Sequence, residues 1–320
     1  MSIKDTMNAF EEQSLFEIAQ YDAEEAERGG YSNYSYWRST LRVFMKNKIA
    51  VLTLLVMVVL LTFTVIQPYL PDQKDPNFIH IDEATGRQLR NVQPNEEFRF
   101  GTNSIGQDLW ARIWRGTRTS MLLALFVAII RIIVGITVGA LWGYVRKLDR
   151  FMTEVYNVLA NVPTTIVYTL FAYILRPSLR TMIIAMTVLG WLPMSRFIRN
   201  QVVIIRDREY NLASRCLGTP TSRIITRNVL PYLVSVIMLQ FALAIPLVIA
   251  GEVFLSYIGL GLPLYMPSLG NLVNEGRQLM MIGSLRYQLI YPSAIMSVIT
   301  ISFYIMGNAF ADAADPRTHV

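Results

Sequence analysis

Long apolar runs alternate along the chain with charged stretches that carry its prolines and glycines. A helix needs about 20 apolar residues to cross a hydrocarbon core about 30 Å thick. Six runs qualify: 49–67, bounded by Lys48 and by Pro68 and Pro71; 119–145, uncharged except for Arg131; 155–175, which contains Pro163; 181–195, the shortest, extending toward Ile198; 228–251, with Pro231 near its start and Pro246 inside; and 287–311. The pattern predicts an all-α integral membrane protein of six transmembrane helices. It divides into an acidic tail (1–36), a first span with a basic flank (37–67), a long loop (68–118), a five-helix core (119–311) with an inner loop at about 204–231, and a short end (312–320).

Two stretches between spans are longer than connectors require. The loop 68–118 is rich in Pro, Asp and Asn and suits a small cap. At its end Leu109 and Ile113, and Trp110 and Trp114, recur at i, i+4, which predicts an interfacial helix leading into the second span. In the other stretch, residues 207–217 suit a short helix stopped by Gly218, the usual left-handed residue after a helix end. Thr219 and Pro220 then read as an N-cap and a first-turn proline opening a second helix. Ala213 and Ser214 are small enough for a partner to approach closely, and Leu212, Leu217 and Ile224 supply an apolar face. Such a knob fits a groove in another subunit; lying on anionic lipid is the competing reading.

Composition agrees with a membrane protein: 53% of the residues are hydrophobic and 16% charged, against about a quarter charged in soluble domains. A net charge of +6 raises nucleic acid as a partner, but the placement of the charges speaks against it. Eight acids face only Lys4 and Arg28 in residues 1–36, whereas basic residues cluster beside apolar runs. Arg38, Arg42, Lys46 and Lys48, then Arg146, Lys147 and Arg150, then seven arginines from Arg196 to Arg227, fall on one side of a six-span topology. The positive-inside rule makes that side cytoplasmic, with both termini. The acidic start does not suit a cleaved signal peptide.

One cysteine, and two histidines far apart in the chain, leave no metal cluster and no histidine catalysis. The chain has no Gly-x-x-x-x-Gly-Lys-Ser/Thr phosphate loop, no His-Glu-x-x-His pair and no Gly-x-Ser-x-Gly elbow, so nothing points to an enzyme or to ATP binding here. Any energy has to come from a partner. Three polar groups are candidates for a translocation path. Arg131 lies about 18 Å into the second span, where a charge is costly and marks function by default; a structural bond to a neighbouring helix is the alternative. Glu252 ends the uncharged run of the fifth span, as a substrate contact or an outer cap, and Asn161 stands beside Pro163. Cys216 reads as a small packing residue, and Glu209 and Arg215 as charged groups facing a docked partner.

The inner loop runs Glu209-Tyr-Asn-Leu-Ala-Ser-Arg-Cys-Leu-Gly218 and reaches Leu230-Pro231. It resembles the cytoplasmic signature of ABC importer permeases. Gly101-Thr-Asn-Ser-Ile-Gly-Gln-Asp108, Gly251-Glu-Val-Phe-Leu-Ser-Tyr-Ile-Gly-Leu-Gly261, Pro267-Ser-Leu-Gly-Asn271, Glu275-Gly-Arg277 and Ala314-Asp-Pro-Arg317 are similar to stretches of the C-type permease subunit of binding-protein-dependent oligopeptide and dipeptide importers. The resemblance covers roughly 37–318. Leu212 stands where the general motif often has Glu, Ser214 replaces its second Ala, and Asn103 and Gln107 replace Asp and Arg.

The resemblance implies a type I ABC importer permease fold in the plasma membrane, forming half of a translocation path for peptides. A homologous second permease would complete it, two cytoplasmic ATPases would use ATP and Mg, and an extracytoplasmic binding protein would deliver the cargo. It makes Glu209, Tyr210, Leu212, Ala213, Ser214, Arg215, Leu217, Gly218, Leu230 and Pro231 the ATPase-coupling residues. Relatives of the subfamily carrying nickel chelates, glutathione or other small cargo keep those alternatives open, and a non-transporting scaffold or sensor is the reading from another class.

Overall fold

The computed structural model describes residues 36–314; the acidic tail up to residue 35 and residues 315–320, with His319 and Arg317, lie outside the described residues. The chain divides into two units after Ser39. The first is described only as the opening turn of helix α1 (Tyr36–Lys46), and the architecture below belongs to the unit from Thr40 onward. Its described residues form helices and loops, with three isolated bridges and no strand.

The side chain of Asn47 starts α2 (Lys48–Ile66) by accepting from the Ile49 and Ala50 amides, the usual satisfaction of orphan donors. The buried residues of α2 are Ala50, Met57 and Thr64, one in seven. So narrow a stripe leaves most of an apolar surface outside the bundle, as in a helix that faces lipid. Asp108 caps α3 (Leu109–Tyr144) through the Ala111 amide. At 36 residues, α3 is about 54 Å long, and the expected interfacial turn and the second span are one unbroken helix.

Along α3, Gly135, Gly139 and Gly143 recur every four residues. A Cβ on any of them would strike Met194, Ser195, Ile198, Arg199 or Val202. The stripe lets α3 and α7 (Leu192–Arg206) approach backbone to backbone, the small-xxx-small mode of membrane helices. The central core joins α3, α6 (Leu179–Val188), α10 (Val234–Tyr257) and α12 (Tyr287–Ala313) through Leu123, Val127, Met186, Val248 and Ile299.

Among the described residues, five stretches are long and apolar enough to cross a membrane: Lys48–Tyr69, Leu109–Tyr144, Leu179–Arg206, Thr221–Tyr257 and Tyr287–Ala313. A sixth span exists if α4 (Arg146–Ala160) and α5 (Thr164–Leu175), bent by 72° at Asn161–Pro163, count as one. The span expected at 155–175, with Pro163 interrupting it, is thus bent at that proline and reaches back to Arg146. Proline removes a donor and excludes its predecessor from the helical region, and α4 is amphipathic, tied to α7 by a bidentate Asp149–Arg199 pair at 2.9 Å. The fourth run is also broken, at Leu189–Trp191, and continues to Arg206 rather than stopping near Ile198. The fifth helix starts at Val234, six residues after the expected start, because residues 225–233 form a π turn and a 3₁₀ turn leading out of Pro231.

The loop between α2 and α3 is knitted to one end of the bundle. The Tyr287 hydroxyl donates to the Val92 and Thr102 carbonyls, both at 2.9 Å. Phe63, Phe100, Trp110, Trp114 and Tyr291 form an aromatic cluster beneath it. The loop 207–231 lies at the opposite end of α3, where Arg206 donates to the Gly143 carbonyl.

Candidate functional site

The knob begins at α8 (Glu209–Cys216). It stops where Gly218 takes φ +76°, a conformation other residues adopt at a cost. The Gly218 amide donates to the Arg215 carbonyl and the Thr219 amide to the Ser214 carbonyl, at 3.0 and 3.1 Å, the paired bonds of a Schellman ending. The following helix, α9 (Thr221–Ile224), has Pro220 at its N-cap position with no side-chain bond, where Thr219 was expected as the cap and Pro220 as the first helical residue.

A polar frame holds α8. Asn211 is fully buried and donates to the Ile205 carbonyl at 3.0 Å, while Asn228 donates to Asn211 Oδ1 at 3.1 Å. Three arginines meet on Asp207: Arg215 and Arg146 at Oδ1 and Arg206 at Oδ2, each at 3.2 Å. Partial desolvation works against the Asp207 carboxylate. The hydrogen bonds and charge of Arg215, Arg206 and Arg146 outweigh it and hold the pKa below the ordinary aspartate value. The frame leaves apolar groups outside, with Leu217 85%, Tyr210 49% and Leu212 44% exposed.

Several expected docking residues are thereby reassigned. Ile224 is buried in the core between α3 and α7, not on the docking face. Arg215 is held by Asp207 and the Arg206 carbonyl. Ser214 bonds to the Tyr210 carbonyl and is half-buried, and Leu230 is half-buried too, while Glu209, Ala213 and Pro231 stay exposed. Cys216, expected as a small packing residue, is exposed. Asn211, Asp207 and Asn228 were not singled out in the sequence. Their types suit a loop of any kind, and their partners lie across turns that pattern alone does not place.

Arg131, Asn161 and Glu252 do not converge on one site. Arg131 donates through Nε and Nη2 to the Met186 carbonyl, at 3.1 and 2.8 Å. It satisfies a last-turn acceptor of α6 where the helix breaks. It also lines a cavity of about 280 Å³ with Gln240, Phe197 and Leu247. Asn161 is exposed at the 72° bend, bonded to the Asn157 carbonyl.

Glu252 is fully buried, not at an open outer face. Its Oε2 accepts from the Ser120 hydroxyl at 2.5 Å and its Oε1 from the Gly270 amide at 3.3 Å. The Ser120 oxygen in turn accepts from the Leu269 amide, and Ser268 from the Asn271 amide. Each of the first three amides of α11 (Leu269–Gln278) therefore has an acceptor, and the carboxylate sits at the positive end of the helix dipole.

Near that end, Arg112, 1% exposed, donates to Glu275 at 3.0 Å and to Gln107. Gln107 in turn accepts from Asn103 at 3.0 Å. Asp108, beside it, has its pKa raised by burial, against the pull of its cap bond to the Ala111 amide and of Lys74.

Bent and broken apolar spans, a small-residue helix seam and one exposed, rigidly framed knob define a polytopic membrane protein built to sit beside other subunits. The family model described as the binding-protein-dependent transport system inner membrane component matches residues 132–320. That for the N-terminal transmembrane domain of oligopeptide transport permease C matches residues 35–88. The chain belongs to this family of transport-system membrane components. It is 37% identical over 286 residues to the oligopeptide transport system permease protein AmiD of Streptococcus pneumoniae, covering 89% of this chain and 91% of that one. It is 32% identical to the dipeptide transport system permease protein DppC of Bacillus subtilis, over 94% and 92% of the two chains. Identity to the oligopeptide permease OppC of Bacillus subtilis is 29%, over 95% and 97%.

Proposed function

We propose that this chain is a permease subunit of an ATP-driven peptide importer, forming half of the translocation path, and that α8 is the helix through which a cytoplasmic ATPase moves it. The observation that carries the coupling is the frame around α8. Asn211, with Asn228 behind it, fixes the helix to α7. Asp207 ties Arg215 to Arg206 and Arg146, and Arg206 reaches the end of α3 at the Gly143 carbonyl. Leu212, Leu217 and Tyr210 are left exposed. A rigid frame transmits force, and exposed apolar groups on one short helix suit a groove. The same reading makes the knob end cytoplasmic, with both termini. It makes residues 68–108 extracytoplasmic, beside a binding protein, and puts a second permease against the open face of α10. The relatives named for oligopeptide and dipeptide transport support peptide as the cargo.

The test is the Leu212→Asp, Leu217→Asp pair in the assembled transporter. Both residues are already exposed, so the permease inserts normally, while ATPase binding and peptide-stimulated hydrolysis are lost. Hydrolysis at the unaltered rate would overturn the coupling assignment.

A further inference from the structure

Resting on the importer reading, the cavity at Arg131 supports a finer one: we propose that Arg131 receives the C-terminal carboxylate of a peptide in transit. Arg131 lies 22 residues from the start of α3 and 13 from its end, about 33 and 20 Å, deep among apolar residues. Among the described residues no Asp or Glu pairs with it. The Tyr168 hydroxyl is the side-chain partner beside it, and a cation without a carboxylate at this depth is expensive and is retained where an anion or a water-filled cavity meets it.

The geometry prepares it for one anion shape. The side-on edge of the guanidinium, Nε and Nη2, is fixed on the Met186 carbonyl. Gly190 makes this pose possible, since a Cβ there would lie 2.8 Å from Arg131 Cζ and closer still to Nε. With that edge held, the end-on fork of Nη1 and Nη2 is what Arg131 can offer the cavity it lines. Two parallel N–H groups match a carboxylate bidentately.

The cavity holds about 280 Å³, roughly nine water volumes. It is bounded by Phe197, Met194 and Leu247, with one amide, Gln240. That is room for a carboxylate and a terminal residue, with a mostly apolar wall that accepts varied side chains. The 68% exposure of Leu247 leaves the cavity open beside α10, toward the proposed second permease.

The experiment is a cycle between protein and cargo in proteoliposomes holding the whole transporter, with trialanine and trialanine amide. Arg131→Gln, which also loses the Met186 bonds, should lower uptake of the free acid about tenfold or more beyond whatever it takes from the amide, the worth of a charge-assisted bond. Leu247→Glu serves as a second variant that spares the Met186 bond; its new carboxylate occupies the fork and should produce the same selective loss. Saturation-transfer NMR on the complex without binding protein reads the contact directly, whatever the binding protein delivers. Trialanine should give a signal that Arg131→Gln reduces severalfold, and the amide should give little in either protein. Equal losses for both peptides, or no change in either readout, overturn the assignment and leave Arg131 as the α6 cap alone. A wild-type complex that imports no peptide overturns the importer reading instead, and the NMR arm still decides the contact.

Discussion

The two ends of the bundle end a helix with the same device and then do opposite things with the chain. At the knob, α8 closes on Gly218 at φ +76°; at the other end, α10 closes on Gly259 at φ +82°. Both make the paired carbonyl bonds of a Schellman ending, to Arg215 and Ser214 in one case and to Ser256 and Leu255 in the other. After Gly259 the chain turns back into the bundle, and every early amide of α11 finds an acceptor on Glu252, Ser120 or Ser268. After Gly218 it stays outside, with Leu217 almost bare. One end is completed by its own side chains. The other is completed only as far as its frame, and its apolar tip is left for a partner.

The largest effect should come from breaking the self-completed end at its buried ion pair. Glu275→Ala leaves Arg112, 1% exposed, without a carboxylate, and unpairing a buried charge costs about 3 kcal/mol or more. Thermal unfolding of the complex in detergent should show it as a clear fall in Tm. Replacing both partners, Arg112→Met with Glu275→Leu, should restore most of the loss, since an apolar pair of similar volume removes the stranded charge. No recovery would mean that the Gln107 and Asn103 chain beyond Arg112 carries the end instead.

Next comes the carboxylate at the start of α11. Glu252→Ala strands the Gly270 amide and the Ser120 hydroxyl and should cost about 2 kcal/mol. Glu252→Gln, which keeps an acceptor, should cost less than half as much by the same unfolding measurement. Equal losses would show that shape rather than hydrogen bonding fills the site.

The knob should yield less, because its frame is smaller. Asn211→Ala removes one donor from the Ile205 carbonyl, which keeps its bond from the Arg208 amide, and takes away the acceptor of the Asn228 amide, for about 1 kcal/mol. Hydrogen exchange should place that loss locally, in faster exchange of the α8 amides with the spans unchanged. Uniformly faster exchange across the bundle would mean that the knob is not a separate unit of stability.

These residues also show where pattern reading succeeds. Spans and the α8 stop were legible because they are local: about 20 apolar residues, or one glycine after a short helix. The breaks were less so. Pro163 was visible, but not the bend of 72°, nor the Asp149–Arg199 tie across 50 residues that holds α4 on α7. The break at Leu189–Trp191 is met by Arg131, 55 residues from its Met186 acceptor. Glu252 stands 132 residues from Ser120, and Arg112 163 from Glu275. Glu252 stood out in the sequence as a substrate contact or an outer cap, but nothing in the run 228–251 tells of the helix that folds back over it and takes its carboxylate. Ile224 seemed to face outward for the same reason: helical period gives a face, not what covers it.

The smallest effect tests the comparison most directly, because the local cost is equal at both ends. Gly218→Ala and Gly259→Ala each force a Cβ into the left-handed region, at about 1 kcal/mol. Neither Cβ would meet any atom within 4 Å, so no clash adds to either. The two variants should therefore lower Tm by the same small amount, and Gly→Asn should lower it less at each site, since Asn tolerates that conformation. Function should separate them. Loosening the end of α8 moves Leu217 relative to the frame on Asp207 and should lower peptide-stimulated ATP hydrolysis by the partner subunits. Loosening the end of α10 acts ahead of a segment already tied down by Glu252, Ser120 and Ser268, and hydrolysis should hold. Equal losses of hydrolysis would mean that the self-completed end also takes part in coupling, and the division between the two ends would fail.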